Sequence, residues 1–312
     1  MTIPVSLLDD YFKQGYRFIG KHKHSAIKIC NWTRESIRAK NICYKQKFYG
    51  IQTHRCIQMS PSVFWCTHAC RFCWRKIEES LGTNMEKESL KKEIDSPEEI
   101  LDAAIEAQRK ILQGFKGSEN TDMKKFKEAM FPNQVAISLA GEPCLYPKLP
   151  EFIKLINSRN MTSFLVTNGT RPDVLKKLSP NPPYQLYITL ASSDKETYKK
   201  VCCPLIPEGW ENLQKSLELM KKINTRTVLR LTLVKDLNMN NPEKFAELIE
   251  KASPQFIEAK AYMAIGYSRE RLGPAYMPSH EEIKEFSKKI AENSNYKIAD
   301  EKADSRVVLL KK

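Results

Sequence analysis

The sequence predicts an α/β chain: a partial, TIM-like (β/α)6 barrel over residues 61–312, behind an N-terminal extension, residues 1–60, with its own metal ligands. Two observations lead there. Short apolar stretches rich in branched and aromatic residues recur at Val135–Leu139, Ser163–Thr167, Gln185–Leu190, Thr227–Val234 and Phe256–Met263. Helical patterns separate them, and strands alternating with helices pair in parallel. Six of the nine cysteines fall between Cys30 and Cys73, at and ahead of the start of that alternation.

Taken in order, residues 1–60 are basic and aromatic, with Lys21, Lys23, Trp32, Arg34, Arg38 and the run Tyr44-Lys45-Gln46-Lys47-Phe48-Tyr49. No long amphipathic helix is expected among them. Ser62–Trp65 reads as the first strand of the barrel, which gives about six β/α units and leaves it unclosed. The charged stretch Glu78–Lys92 and the run Gly117–Lys127 read as an insertion with a solvated loop. Ser96-Pro97-Glu98-Glu99 is a capping box with proline at the first helical position, and Ile100, Leu101, Ala104, Ile105, Ile111 and Leu112 then form one apolar face. Asn241-Pro242 opens another helix. Ser279 with Glu282 caps a third, in a C-terminal helical segment.

Composition narrows the class. At 41% hydrophobic and 28% charged the chain reads as an ordinary soluble protein. No apolar run is long enough to span a bilayer, and the N-terminus lacks the basic-then-apolar order of a leader. No membrane partner, a cytoplasmic location and a monomer are the default expectations. A formal net charge of +14 attracts polyanions, nucleic acid first among them, although solvated surface lysines account for the charge equally well. An odd number of unevenly placed cysteines argues against a disulfide framework and for metal or redox chemistry.

The densest motif is Phe64-Trp65-Cys66-Thr67-His68-Ala69-Cys70-Arg71-Phe72-Cys73-Trp74-Arg75. Three thiolates spaced by three and then two residues can ligate three irons of a 4Fe-4S cubane from one loop and leave the fourth open. A zinc site usually pairs two-residue spacings and takes a fourth ligand, for which His68, inside the motif, is badly placed. Here the chain resembles the radical SAM superfamily, in which the open iron chelates the amino and carboxylate groups of S-adenosylmethionine. That resemblance implies roles for Gly141-Glu142-Pro143 at the methionine amino group, for Thr167, Asn168 and Ser192 near the ribose or carboxylate, and for Phe72 against the adenine. The carboxyl ends of parallel strands are also where barrel geometry independently puts ligands.

Cys30, Cys43 and Cys56 form a second triad, with twelve residues between successive members. Its regularity alone fits either chance or a second cluster. Together with Asn41-Ile42-Cys43-Tyr44-Lys45-Gln46-Lys47-Phe48-Tyr49-Gly50 it resembles the 4-demethylwyosine synthases, tRNA-modifying enzymes of the wybutosine pathway, in their stand-alone archaeal form. The resemblance implies an auxiliary 4Fe-4S cluster on that triad. It also implies a tricyclic base built, through a deoxyadenosyl radical, from pyruvate and the 1-methylguanosine beside the anticodon (position 37) of phenylalanine tRNA, and an external electron donor such as a ferredoxin or flavodoxin. It gives Lys45 the role of Schiff-base partner to pyruvate, with Lys47 as competitor and direct binding of pyruvate to the auxiliary cluster as the mechanistic rival. An imine-forming lysine must lose its proton, which apolar packing or nearby cations favour.

For tRNA the contacts expected are Arg34, Arg38, Arg71, Arg75 and Lys76, with Lys21 and Lys23 alongside. Trp32 or Trp74 would stack on an extruded base; Trp74 fits the core equally well. Cys144 reads as a buried small apolar group, Cys202-Cys203 as part of the loop after the fourth strand, His280 as exposed, and the pairs Lys124-Lys125 and Lys199-Lys200 as solvated faces. Two rivals stand beside this reading: a radical SAM methylase or sulfur-inserting enzyme acting on nucleic acid, and a non-catalytic zinc protein that binds RNA.

Overall fold

The structure, a computed structural model, describes residues 3–88 and 94–312, so positions 89–92 of the expected insertion lie outside the described residues. The chain divides into two compact units. The first comprises Met1–Trp65, Asn84–Val166 and Asn181–Tyr184; the second comprises Cys66–Thr83, Thr167–Pro180 and Gln185–Lys312.

The first unit holds strands β1 (Arg17–Ile19), β2 (Ser25–Ile27), β3 (Cys56–Ser60), β4 (Gln134–Ile137) and β5 (Thr162–Thr167, whose last residue belongs to the second unit). β1, β2 and β3 pair antiparallel; β3, β4 and β5 pair in parallel. β4 is buried along its whole length, as a strand covered on both faces must be. The capping box forms as the sequence predicts, with Ser96 and Glu99 bonding each other's backbone and Pro97 opening a helix to Leu112.

The first parallel strand lies earlier than expected. Pro61 follows Ser60 and has no amide to give a ladder, so pairing stops there. Val63, Phe64 and Trp65 are buried in a turn instead. Phe64 packs in an aromatic group with Tyr11 and Phe18. Tyr11 belongs to Val5–Lys13, one of three short helices in the extension, with Asn31–Ile37 and Tyr44–Tyr49. The expected solvated loop at Gly117–Lys127 contains the helix Met123–Ala129, capped by the Asp122 carboxylate and seated on Ile29 and Ile37 through Phe126.

The second unit holds β6 (Gln185–Thr189), β7 (Arg226–Leu233), β8 (Phe256–Ala261), β9 (Lys297–Lys302) and β10 (Val307–Lys311). β6, β7 and β8 are parallel; β10 and then β9 add antiparallel. Neither unit's sheet closes on itself. Pro242 opens a helix as expected, but Asn241 lies in the left-handed region and its side chain caps nothing. The Ser279–Glu282 box caps His280–Glu292, and the β9–β10 hairpin extends the segment expected to be helical. Among the described residues no helix is long and apolar enough to cross a membrane.

Candidate active site

In the second unit, Cys66–Arg75 is a loop held by its neighbours rather than by a helix or strand of its own. Leu205 N donates to Thr67 O at 2.8 Å, Ala69 N to Cys203 O at 3.0 Å and Arg71 N to Val201 O at 3.0 Å. Cys73 N closes a turn onto Cys70 O, also at 3.0 Å. Cys66, Cys70 and Cys73 are all half-buried and none is in a disulfide. Cys70 is pushed well above the ordinary thiol range, first by a hydrogen bond with Cys202, then by burial and by the charges that Cys66 and Cys73 would carry. The Cys70 thiol thus lies near enough to Cys66 and Cys73 to feel their charge, and a cation bound there would be the counter-charge that relieves it.

The strand ends brace this loop. Asn168 Nδ2 donates to Thr67 Oγ1 at 2.8 Å and lies 3.9 Å from Cys66 Sγ, while Asn168 Oδ1 accepts from Thr170 N and Thr170 Oγ1. Thr167 Oγ1 accepts from Gly169 N. Ser192 is fully buried, and its hydroxyl has no hydrogen-bond partner among the described residues. Such an orphan is expensive unless a ligand satisfies it. Phe72 packs against Val234, Tyr262, Ala264 and Leu272.

Cys202, His68 and His280 of this unit differ from their sequence reading. Cys202 ends the helix Lys195–Cys202 and turns its thiol to Cys70; the ligand atoms of His68, Cys70 and Cys202 lie within 4.8 Å of one another. His68, read as badly placed for a ligand, thus stands close to the Cys70 and Cys202 thiols. Its Nε2 shares a hydrogen bond with Tyr198 Oη at 2.6 Å, and burial pushes its pKa down to about 3. His280, expected at the surface, keeps only 14% of its side chain exposed because it pairs with Glu301. The Lys199-Lys200 pair is solvated as expected, Lys199 making a surface ion pair with Glu196.

The first unit carries the other triad. Burial pushes Cys43 up to about 12, with Cys30 and Cys56 adding to the shift and Lys45 opposing it. Cys56 is raised to about 11, again by burial first, with Lys45 opposing and Cys30 adding. Cys43 and Cys56 are thus each close enough to Cys30 and to the Lys45 cation to feel their charge. Lys45 is 9% exposed, and its Nζ stands 5.2 Å from the centre of the Phe164 ring. Its backbone N–H donates to Cys43 Sγ at 3.4 Å, the cap of the Tyr44–Tyr49 helix. Lys47, two residues on, is exposed.

The Gly141-Glu142-Pro143 turn lies in the same unit. Gly141 has φ +68, and a Cβ there would stand 2.0 Å from Ser62 O and 2.8 Å from Trp65 O. Glu142 N donates to Trp65 O at 2.8 Å, and Ser62 Oγ donates to Glu142 O at 2.7 Å. The Glu142 carboxylate accepts from Cys144 N, and Cys144 is buried as the sequence reading has it.

The basic residues divide by exposure. Lys21, Lys23, Arg34 and Arg38 are exposed in the first unit; Arg71 and Lys76 are half-buried in the second. Arg75, read as a tRNA contact, is buried at 2% exposure and cannot present its charge to a polyanion. Trp74 is 37% exposed and not a core residue. Trp32 is half-buried.

Against known proteins, residues 60–249 match the radical SAM superfamily and residues 251–312 match a family described as wyosine base formation. The S-adenosyl-L-methionine-dependent tRNA 4-demethylwyosine synthase of Pyrococcus abyssi is 48% identical over 312 residues, covering 99% of this chain and 89% of that protein. The enzyme of the same description from Methanocaldococcus jannaschii is 41% identical over 309 residues, covering 99% and 96%. Among solved structures, TYW1 with a lysine–pyruvate adduct bound superposes with a TM-score of 0.87 at 39% identity, covering 100% of this chain and 97% of that one. An archaeal TYW1 crystal structure gives 0.80 at 37%, covering 99% and 96%.

Proposed function

The chain belongs to the tRNA 4-demethylwyosine synthase family of the radical SAM superfamily, and on that premise we propose that it builds the tricyclic 4-demethylwyosine base from pyruvate and the 1-methylguanosine beside the anticodon of phenylalanine tRNA. The observation that carries the detail is the position of Lys45, a buried amine whose charge reaches both Cys43 and Cys56.

Cys66, Cys70 and Cys73 would hold one 4Fe-4S cluster, and Cys30, Cys43 and Cys56 a second, auxiliary one. When bound, the first cluster with S-adenosylmethionine supplies a radical strong enough to take hydrogen from the methyl group of the substrate base. The residues of the chain do the rest. Asn168 braces the first loop through Thr67, and the buried Ser192 hydroxyl offers a hydrogen bond to S-adenosylmethionine. Thr167 and Phe72 would contact S-adenosylmethionine, and Gly141, Glu142 and Pro143 would receive its methionine amino group.

Lys45 attacks the keto carbon of pyruvate, its nitrogen replaces the keto oxygen, and that oxygen leaves as water. The imine anchors pyruvate while its carbons are transferred and its carboxylate is lost. Phe164 covers the amine on one side, which excludes the water that would reverse the imine. The published lysine–pyruvate adduct of a TYW1 relative supports this reading, and the exposure of Lys47 disfavours the competing lysine.

Arg34 and Arg38, with Lys21 and Lys23, offer charge to tRNA phosphates, and Trp32 or Trp74 a stacking face for the extruded base. Arg71 and Lys76 contribute from the second unit. The electron comes from a separate one-electron carrier of the ferredoxin or flavodoxin kind. A methylating or sulfur-inserting enzyme would have no use for pyruvate.

The test is chemical trapping. Reconstituted protein is incubated with labelled pyruvate and cyanoborohydride, digested, and mapped by mass spectrometry. The label is expected on the peptide bearing Lys45 and absent from the Lys45→Ala protein. Label on Lys47, or none on protein with both clusters confirmed, would overturn the assignment.

A further inference from the structure

The loop that carries the first three cysteines is held differently in its two halves. From Thr67 to Arg71 it is tied by main-chain hydrogen bonds to Val201, Cys203 and Leu205, which no single side-chain change removes. From Arg71 to Arg75 a side chain from far along the sequence gathers it. Arg271 Nε donates to Arg71 O at 3.3 Å, and Arg271 Nη2 donates to Cys73 O and, at 3.1 Å, to Arg75 O. One planar guanidinium thus takes three carbonyls of the loop, one of them belonging to a cluster cysteine. A lysine ammonium would present the same charge without the fork.

The fold places this arginine firmly. Its short helix, Ser268–Arg271, starts where Tyr267 N donates to Trp74 O at 3.1 Å. Gly266, at φ +57, lies so near that a Cβ would stand 2.5 Å from Trp74 O. Ser268 is fully buried, and its backbone oxygen accepts from Tyr262 Oη. Leu272 packs in one cluster with Phe72. The Arg271 side chain is 16% exposed, and its anionic neighbour Glu78, 3.4 Å away, is largely solvated, so it neutralises little of the charge. That charge is felt at the Cys203 thiol, which burial and Cys202 raise and which Arg71 and Arg271 partly offset. The segment belongs to the part of the chain matched by the wyosine family, whereas the cysteine loop belongs to the part matched by the wider superfamily.

We propose that Arg271 is a positioning residue of the reaction: it fixes the Arg71–Arg75 half of the cluster loop and sets a permanent positive charge beside the first cluster, making that cluster easier to reduce. This rests on the assignment of Cys66, Cys70 and Cys73 as its ligands. Cluster potentials follow net charge and hydrogen bonding near the sulfurs, and a cation a few ångströms from the loop favours the more negative, reduced state.

Two readouts test it, one of which needs no cluster. Amide hydrogen exchange of metal-free protein should show residues 71–76 of Arg271→Gln opening about tenfold faster, as expected for losing roughly one charged hydrogen bond's worth of stability. Arg269→Gln serves as control, because Arg269 lies on the same helix but bonds Ala264 O; its loop should exchange as the parent does. A merely structural helix would respond alike to both changes. In the reconstituted enzyme, a redox titration follows the paramagnetic signal that S-adenosylmethionine perturbs. At a fixed potential the reduced-to-oxidised ratio should fall about tenfold in Arg271→Gln, a shift of about 59 mV for one electron, and stay near the parent's in Arg271→Lys. Unchanged exchange in Arg271→Gln would overturn the positioning role. Equal potentials in Arg271→Gln and Arg271→Lys would overturn the electrostatic one. Failure to detect any signal that responds to S-adenosylmethionine in the parent would instead count against the cluster assignment, which the metal-free measurement does not use.

Discussion

Replacing Gly141 by alanine should be among the most damaging single-atom additions in the chain. Two costs combine. The backbone sits at φ +68, a region that costs an L side chain roughly 1–2 kcal/mol. The added Cβ would also lie 2.0 Å from Ser62 O and 2.8 Å from Trp65 O, so the Gly-Glu-Pro turn and the Ser62–Trp65 turn must separate by about 1.4 Å to reach ordinary contact. That separation stretches the bonds from Glu142 N to Trp65 O and from Ser62 Oγ to Glu142 O, each worth about 1 kcal/mol. The sum is roughly 3–4 kcal/mol, and since a chain of this length moves by about 2 °C per kcal/mol, the melting temperature should fall by about 6–8 °C. Gly50→Ala is the matched control: its φ is +72, but nothing lies within 4 Å of the added atom, so only the backbone cost applies. Thermal and urea unfolding of the two variants should differ by at least about 2 kcal/mol. If Gly141→Ala is tolerated as well as Gly50→Ala, the close approach of the two turns is wrong.

Asn168→Ala removes the brace on Thr67 and Cys66, so reconstituted protein should lose iron faster on desalting than the parent, with overall stability lowered by only about 1–3 kcal/mol. On the proposed two-cluster assignment, Cys43→Ala should leave about half of the parent's iron, and Cys203→Ala should leave it all. Lys45→Arg keeps the charge beside Cys43 and Cys56 but cannot form an imine, so tricyclic product should vanish while S-adenosylmethionine cleavage continues. For pH, burial holds His68 neutral down to about 3, whereas the unfolded chain binds a proton near pH 6.5. The stability this contributes is complete above that value and lost as pH falls below it, by about 1.4 kcal/mol per unit. Urea midpoints measured from about pH 7 to about pH 5 should show a shallower decline in His68→Gln. His24, also lowered by burial, keeps part of the slope.

What the sequence made legible was periodic or closely spaced. β4 to β8 fall where alternation and branching put them, and both capping boxes form because their partners are three residues apart. The misplacement of the first parallel strand has a simple cause: Val63, Phe64 and Trp65 are apolar because they are buried, and burial in a turn looks the same as burial in a strand. β9, Lys297-Ile298-Ala299-Asp300-Glu301-Lys302, is charged at four of its six positions and shows no apolar alternation. Within the proposed site, the cysteines were singled out by their spacing. Cys202 and Arg271 did not, since the latter bonds the Cys73 carbonyl from 198 positions away, and only the fold brings such residues together. Arg75 misled for a related reason: charge reads as surface, and nothing local says that this guanidinium is enclosed.

The most direct test of the central claim is product formation. Protein reconstituted anaerobically with iron and sulfide is given reductant, S-adenosylmethionine and tRNA bearing 1-methylguanosine, with and without pyruvate, and the digested tRNA is read by mass spectrometry. The account predicts a tricyclic nucleoside that appears only with pyruvate and disappears with Lys45→Ala. Deoxyadenosine formed at full rate without that nucleoside, on protein carrying both clusters and supplied with pyruvate, would contradict it.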